Sequence, residues 1–244
     1  MSKIGACITL SATLAFAVST AFAAVPTDIS GVALGSTLEE AKDAIMKANQ
    51  AYTISPLKTV DGTEAGVTAV TNKTLAQADQ FAALQDDAGK VWFVGHMKHY
   101  EEGSRIPLDN LVASLTEKFG PTSFRNSQMG EVMYWEFDRN GKLYKGVDQV
   151  FNDRGIGPCA QVHFSNMHIP GVSFPAPQNF PSECSLLIMA YSQPDQDKMV
   201  REFSLSVTDV KSMYDQLNAK ETQAKAEQAR KLEEEKSKAA KPNI

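Results

Sequence analysis

The sequence predicts an α+β fold: two diverged helix-plus-antiparallel-sheet units, a disulfide-pinned loop and a long C-terminal helix. Three observations carry this. Residues 131–145 begin as a half-buried strand, with Met133, Trp135 and Phe137 on one face and Val132, Tyr134 and Glu136 on the other. Asp138-Arg139-Asn140-Gly141 then supplies a reversal into a second strand. Leu108, Leu111, Val112, Leu115 and Phe119 recur at the spacing of one helical face. Finally, helix, short strand and hairpin occur twice, each hairpin turning on Asp-x-x-Gly-Lys, at Asp86–Lys90 and Asp138–Lys142. Asp and Gly also collect at turns for mechanical reasons, so coincidence is the competing explanation of the repeat.

Residues 1–23 read as a signal peptide. Lys3 gives a positive start, residues 4–22 carry no charge, and Ala21-Phe22-Ala23 is an A-x-A cleavage site, which starts the mature chain at Ala24. An uncut anchor is the other reading, but the apolar run is short and ends in small residues. Cys7 precedes the cleavage site and lacks the small-residue setting of a lipoprotein cysteine, so no lipid anchor or other stable membrane anchor is expected. The expected location is periplasmic or secreted. Export leaves Cys159 and Cys184, an even pair that reads as a disulfide closing a loop worth about 3.5 kcal/mol in the chain-entropy model. A redox or metal-binding pair is the alternative, and the missing C-x-x-C spacing speaks against it. The net charge of −5 and the absence of a basic patch outside the tail predict no nucleic-acid partner.

In the first unit, residues 24–104, Ser36 and Glu39 form a capping box ahead of Leu38, Ala41, Ile45 and Ala48, and the helix ends near Asn49. Residues 51–55 read as a strand halted by Pro56. Asp61-Gly62 reads as a turn and residues 67–71 as a strand. Residues 81–100 read as strand, turn, strand. Val91, Phe93 and Met97 are placed on one face and Trp92, Val94 and Tyr100 on the other, so this strand is expected between two layers.

The second unit, residues 105–206, starts with Pro107 at the first helical position and Asp109 at the positive end of the dipole; Gly120-Pro121 stops the helix. Residues 122–126 lead as a strand to the hairpin. Residues 145–183 form a Gly/Pro-rich loop with one strand at 161–165, either functional or a pinned insertion. Residues 184–192 read as a buried strand, and after a turn at Gln193-Pro194-Asp195, Met199, Arg201, Phe203 and Leu205 alternate in the next. Residues 207–244 read as a helix capped by Ser206 or Thr208, with Val210, Met213, Tyr214 and Leu217 docking about three turns. Glu221/Lys225, Glu227/Lys231 and Glu234/Lys238 then support a solvated helix that frays towards Pro242.

Chemistry is sparse. His96 and His99 point to opposite faces of a strand. His163 and His168 lie in the loop near Cys159, and zinc there would need that cysteine reduced. No metal site or cofactor is expected. Asp86, Asp87 and Asp138 are candidate carboxylates for glycan chemistry, set against their use in turns. Gly155-Ile156-Gly157 lacks the flanking strand and helix of a phosphate cradle. No catalytic residue is assigned. Trp92, Tyr100 and Tyr134 are candidates for a partner-binding aromatic face, with Trp135 a fourth that suits the core better; helices covering all of them is the alternative.

The start Gly35-Ser36-Thr37-Leu38-Glu39-Glu40, the helix end Phe119-Gly120-Pro121 and the hairpin Trp135-Glu136-Phe137-Asp138 resemble the small helix-on-sheet modules of the SmpA/OmlA type. Their tandem arrangement resembles the beta-lactamase inhibitory protein fold. The resemblance covers residues 29–142. It implies a helical pair on an antiparallel sheet and a protein-binding role for the concave sheet face. The chain departs from both groups in lacking the lipoprotein cysteine and in adding the cystine loop and charged tail, and no functional residue is carried over. The expected function is an exported, non-enzymatic binding or assembly protein of a Gram-negative envelope with a protein partner. The alternative is an envelope hydrolase of a peptide or glycan with its site in residues 145–183.

Overall fold

The computed structural model describes residues 25–59, 62–71, 79–127, 130–145, 157–166 and 175–239. The expected signal peptide, Cys7, Asp61, Gly155, His168 and Pro242 lie outside them.

A two-residue-stranded hairpin, β1 (Asp28–Ile29) and β2 (Val32–Ala33), precedes α1 (Leu38–Ala48). The capping box sits one residue later than predicted. Thr37 Oγ1 accepts from the Glu40 N–H, and Glu40 Oε2 accepts from the Thr37 N–H at 2.8 Å. Ser36 cannot be the cap because its backbone is engaged: Gly35 N donates to Val91 O at 2.7 Å and Ser36 O accepts from Val91 N at 2.8 Å. The helix starts only once the chain leaves that strand.

The main sheet contains β3 (Tyr52–Lys58), β4 (Glu64–Thr71), β5 (Gln80–Gln85), β6 (Val91–His99), β7 (Ile106–Pro107), β8 (Phe124–Asn126), β9 (Glu131–Asp138), β12 (Cys184–Pro194) and β13 (Met199–Asp209). Its order is β3-β4-β5-β6-β13-β12-β9-β8, with β7 beside β13, and every pairing is antiparallel. The last two strands therefore enter between the two earlier hairpins and join them into one sheet. A separate pair, β10 (Phe164–Asn166) with β11 (Pro175–Pro177), lies within the loop.

Helices α1 and α2 (Leu108–Phe119) cover one face: Ala41, Ile45, Leu111, Leu115 and Phe119 share a cluster with Val94, Trp135, Ile188 and Val207. The opposite face is covered by the cystine region, the β10–β11 pair and the start of α3 (Val210–Lys238), through Cys159, Val162, Phe164, Ala176, Phe180, Val210 and Met213. The sheet is thus sandwiched, as expected for β6. The disulfide between Cys159 and Cys184 is formed.

Several local expectations are corrected. Val91 and Phe93 do not share a face. Leu84 pairs with Phe93 and Gln85 with Val91, which leaves Trp92 as the extra residue of a bulge; Val91 then faces the helices, while Trp92 and Phe93 both face the other layer. Pro56 does not end β3. It sits inside it, opposite Val67, because β3 is an edge strand. Pro107 is the N-cap residue of α2 rather than its first residue, held in β7 against Met199. The return arm of the central hairpin shrinks to one bridge, Phe137 with Leu143, plus the Tyr144 N–H to Glu136 O bond at 2.8 Å. β8 and Ser123 already occupy that edge of β9, Ser123 bonding both Tyr134 O and Glu136 N. The cap of α3 is Asp209, which accepts from Ser212 N at 2.9 Å, because β13 runs on through Ser206 and Thr208. About two turns of α3 dock instead of three: Leu217 is already exposed, as is every described residue after it. Glu221–Lys225 and Glu227–Lys231 are paired, whereas Glu234 faces Arg230.

Candidate functional site

Of the four aromatics expected at a partner surface, three are buried. Trp135 is 0 % exposed and donates its indole N–H to Gly120 O at 2.8 Å. Trp92 is 8 % exposed, edge-on to Phe180 at 5.2 Å. Tyr134 is 7 % exposed, beside Phe124 and the cystine. The helices cover Trp135, and the second covering layer buries Trp92 and Tyr134. Only Tyr100 remains half-buried.

Tyr100 borders the best-organised polar cluster among the described residues. It stands at the end of the sheet where β3 and β5 begin and β4 and β6 finish, on the helical side. α1 begins beside the start of β6 and α2 beside the start of β13, so the C-terminus of α1 and the N-terminus of α2 reach this same end. Asp79 is fixed just ahead of β5 by Thr71: Thr71 N donates to Asp79 O at 3.0 Å and Asp79 N donates to Thr71 Oγ1 at 2.9 Å. One carboxylate oxygen, Oδ1, receives both the Tyr52 hydroxyl and His96 Nε2, each at 2.6 Å. Lys98 Nζ lies 3.8 Å from Oδ2 and 5.5 Å above the Tyr100 ring. Phe81 backs the imidazole in a stack, centroids 4.1 Å apart, and meets Tyr52 edge-on at 5.6 Å.

The electrostatics follow from this packing. Burial alone would raise the Asp79 carboxyl, but the hydrogen bond and charge of His96, with Tyr52 and Lys98, outweigh it and hold the carboxyl below its ordinary 3.8. Burial, then the hydrogen bond and charge of Asp79, raise the Tyr52 phenol. Burial and the same charge raise Tyr100. Because the ionised carboxylate only accepts, His96 Nε2 carries the proton of this hydrogen bond. Asp79 and Tyr52 escaped sequence reading. They lie 17 and 44 positions from His96, and only the strand order unites them; an aspartate directly ahead of an apolar strand was the available signal.

The other candidates serve structure. Asp86 Oδ1 accepts from Ala88 N and Lys90 N, both at 2.9 Å, and Asp138 Oδ1 accepts from Asn140 N and Lys142 N at 2.9 and 3.0 Å. The same turn occurs a third time, where Asp195 Oδ1 accepts from Asp197 N and Met199 N. Asp87 pairs with Lys220 of α3. His99 lies on the face opposite His96 and meets Glu202 at 2.9 Å. His163 is exposed. In the loop, the buried Glu136 accepts from Cys159 N at 3.0 Å, and a side chain at Gly157 would collide with that carboxylate. This holds the turn that carries the cystine.

No family model matches the chain, and no curated protein or solved structure matches it either.

Proposed function

We propose that the chain is an exported, non-enzymatic binding protein of a bacterial cell envelope that recognises a protein partner at the Asp79–His96 end of the sheet. The observation that carries this is the shared Asp79 oxygen. It locks Tyr52 and His96 in place and leaves Lys98 and Tyr100 at the rim, and tyrosine is one of the residue types enriched in protein interfaces. Two further observations support the compartment: the disulfide, which suits an oxidising environment, and the leader-like residues 1–23. No described helix is long and apolar enough to cross a membrane, which says nothing of β-barrels. The resemblance of residues 29–142 to SmpA/OmlA-type modules adds to the reading.

The test is crosslinking capture from envelope extract, followed by reconstitution with the purified partner. A single saturable partner lost on Tyr100→Ala and Lys98→Glu supports the proposal. Capture unchanged by both substitutions refutes the assigned surface.

A second reading, an envelope hydrolase, draws on the Asp79–His96 hydrogen bond, the pair that orients a general base. It moves the site away from residues 145–183. Peptide or glycan hydrolysis abolished by His96→Ala, with folding intact, would favour it.

A further inference from the structure

The Asp turn that ends β9 carries a chemical feature that the other two copies lack. The three copies align as Asp86-Asp87-Ala88-Gly89-Lys90, Asp138-Arg139-Asn140-Gly141-Lys142 and Asp195-Gln196-Asp197-Lys198-Met199. Only the second places a carboxamide directly before glycine, and no other asparagine of the chain is followed by glycine. Glycine matters here because it has no Cβ to shield its backbone nitrogen from the neighbouring side chain.

Four observations leave this pair open to reaction. Asn140 and Gly141 are exposed. The Asn140 carboxamide has no hydrogen-bond partner among the described residues. A Cβ placed on Gly141 would meet nothing within 4 Å, so no neighbour crowds the site. The return arm beyond the turn is held only by the Phe137–Leu143 bridge and the Tyr144 N–H to Glu136 O bond. One contact opposes the reaction: Gly141 N donates to Asp138 O at 2.8 Å. Attack requires that bond to open, and a single exposed hydrogen bond slows it by no more than about tenfold.

We propose that Asn140 deamidates spontaneously in the folded chain. The Gly141 backbone nitrogen loses its proton to solvent base and attacks the Asn140 side-chain carbonyl carbon. A new C–N bond forms, the carboxamide C–N bond breaks, and its nitrogen leaves as ammonia, which closes a succinimide. Water then opens the ring at either carbonyl, giving aspartate or isoaspartate, with no oxidation or reduction. The two products differ in consequence. Aspartate fits the turn, since Asp197 holds the same position in the third copy and its N–H donates to Asp195 Oδ1 at 3.0 Å. Isoaspartate adds a methylene to the main chain ahead of Gly141. That draws Lys142 N off Asp138 Oδ1 and disturbs Arg139, whose guanidinium pairs with Asp215 and lies 5.3 Å from the Tyr214 ring of α3. The turn is at the end of the sheet away from Asp79, and the proposal does not depend on the partner-binding reading.

The full chain is incubated folded and in concentrated urea, at mildly acid and mildly alkaline pH. Conversion is read by mass spectrometry of its peptides, with isoaspartate counted by protein isoaspartate methyltransferase. A gain of one mass unit at residue 140 is expected, ahead of every other asparagine, faster at alkaline pH, and within about tenfold of the rate in urea. Asn140→Ser should abolish the isoaspartate signal at this turn. Chain aged until isoaspartate accumulates should show a lower urea midpoint than fresh chain, whereas Asn140→Asp should keep the fresh midpoint. The proposal is overturned if the folded chain converts more than about tenfold slower than the urea-unfolded chain, if another asparagine converts first, or if aged and fresh chains unfold together.

Discussion

Asp79 shows how one side chain can make a site depend on pH. Its folded carboxyl lies below the ordinary 3.8, so the unfolded chain takes up the proton first. The stability that it contributes is whole above about pH 5 and is lost as pH falls through the lowered native value. Asp79→Asn should cost about 1.5–3 kcal/mol near neutrality, since it weakens two hydrogen bonds to a charged acceptor. Urea midpoints from pH 6 to pH 3 should fall more steeply in the parent than in the variant; parallel curves would contradict this. A second residue-scale prediction comes from the threefold Asp turn. Gly89 and Gly141 take φ of +72° and +78° in two copies, but the third places Lys198 at +57°. Lys198→Gly should relieve that left-handed strain and raise stability by about 1 kcal/mol, read as a higher urea midpoint. The turns were legible at Asp86 and Asp138 because glycine marked them. In the third a lysine stands where the glycine signal should be, and the turn was legible from Gln193-Pro194-Asp195 at its start instead.

Among the elements, the covalent fastening is the cystine. It joins the turn at Cys159 to the start of β12, and Glu136 holds that turn from below through the Cys159 N–H. Reducing it should lower the unfolding free energy by about 3.5 kcal/mol, measured by urea titration with and without reductant. Equal midpoints would mean that Glu136 and the packing of Val162 alone hold the loop. All three helices, the cystine and most strands were legible, since periodicity and cysteine parity are local signals. What was missed has a tertiary cause. The Ser36 backbone is tied to β6, which moves the cap to Thr37. An unpaired Trp92 reverses the faces on either side of it. β13 extends to Asp209 because β12 pairs with it up to Leu186, which takes Ser206 and Thr208 out of the helix and into a buried strand.

The main sheet is continuous, and two of its inner strands, β12 and β13, arrive last in sequence. Two hairpins were readable, but not their union, because strand order is set by contacts far apart along the chain. This also explains the site: Tyr52, Asp79 and His96 sit on three different strands or strand ends, and each looks ordinary by itself. The last stretch of α3 stands apart from this packing. Residues 217–239 are exposed, and Lys220 with Asp87 is a solvated ion pair at the surface. Removing residues 222–244 should change unfolding free energy by less than about 0.5 kcal/mol, as measured by thermal and urea unfolding. A larger loss would show that the tail contributes to the fold.

One edge of this sheet is the seven-residue β3, long enough to template the strand of another molecule, and its outer side pairs with no strand among the described residues. Pro56 interrupts that outer side, since it has no N–H to offer and its ring obstructs an incoming strand. The proline read in the sequence as a stop therefore acts as a guard against self-association. Pro56→Thr should leave the monomer folded but make it prone to concentration-dependent aggregation, visible by light scattering in samples where the parent stays clear.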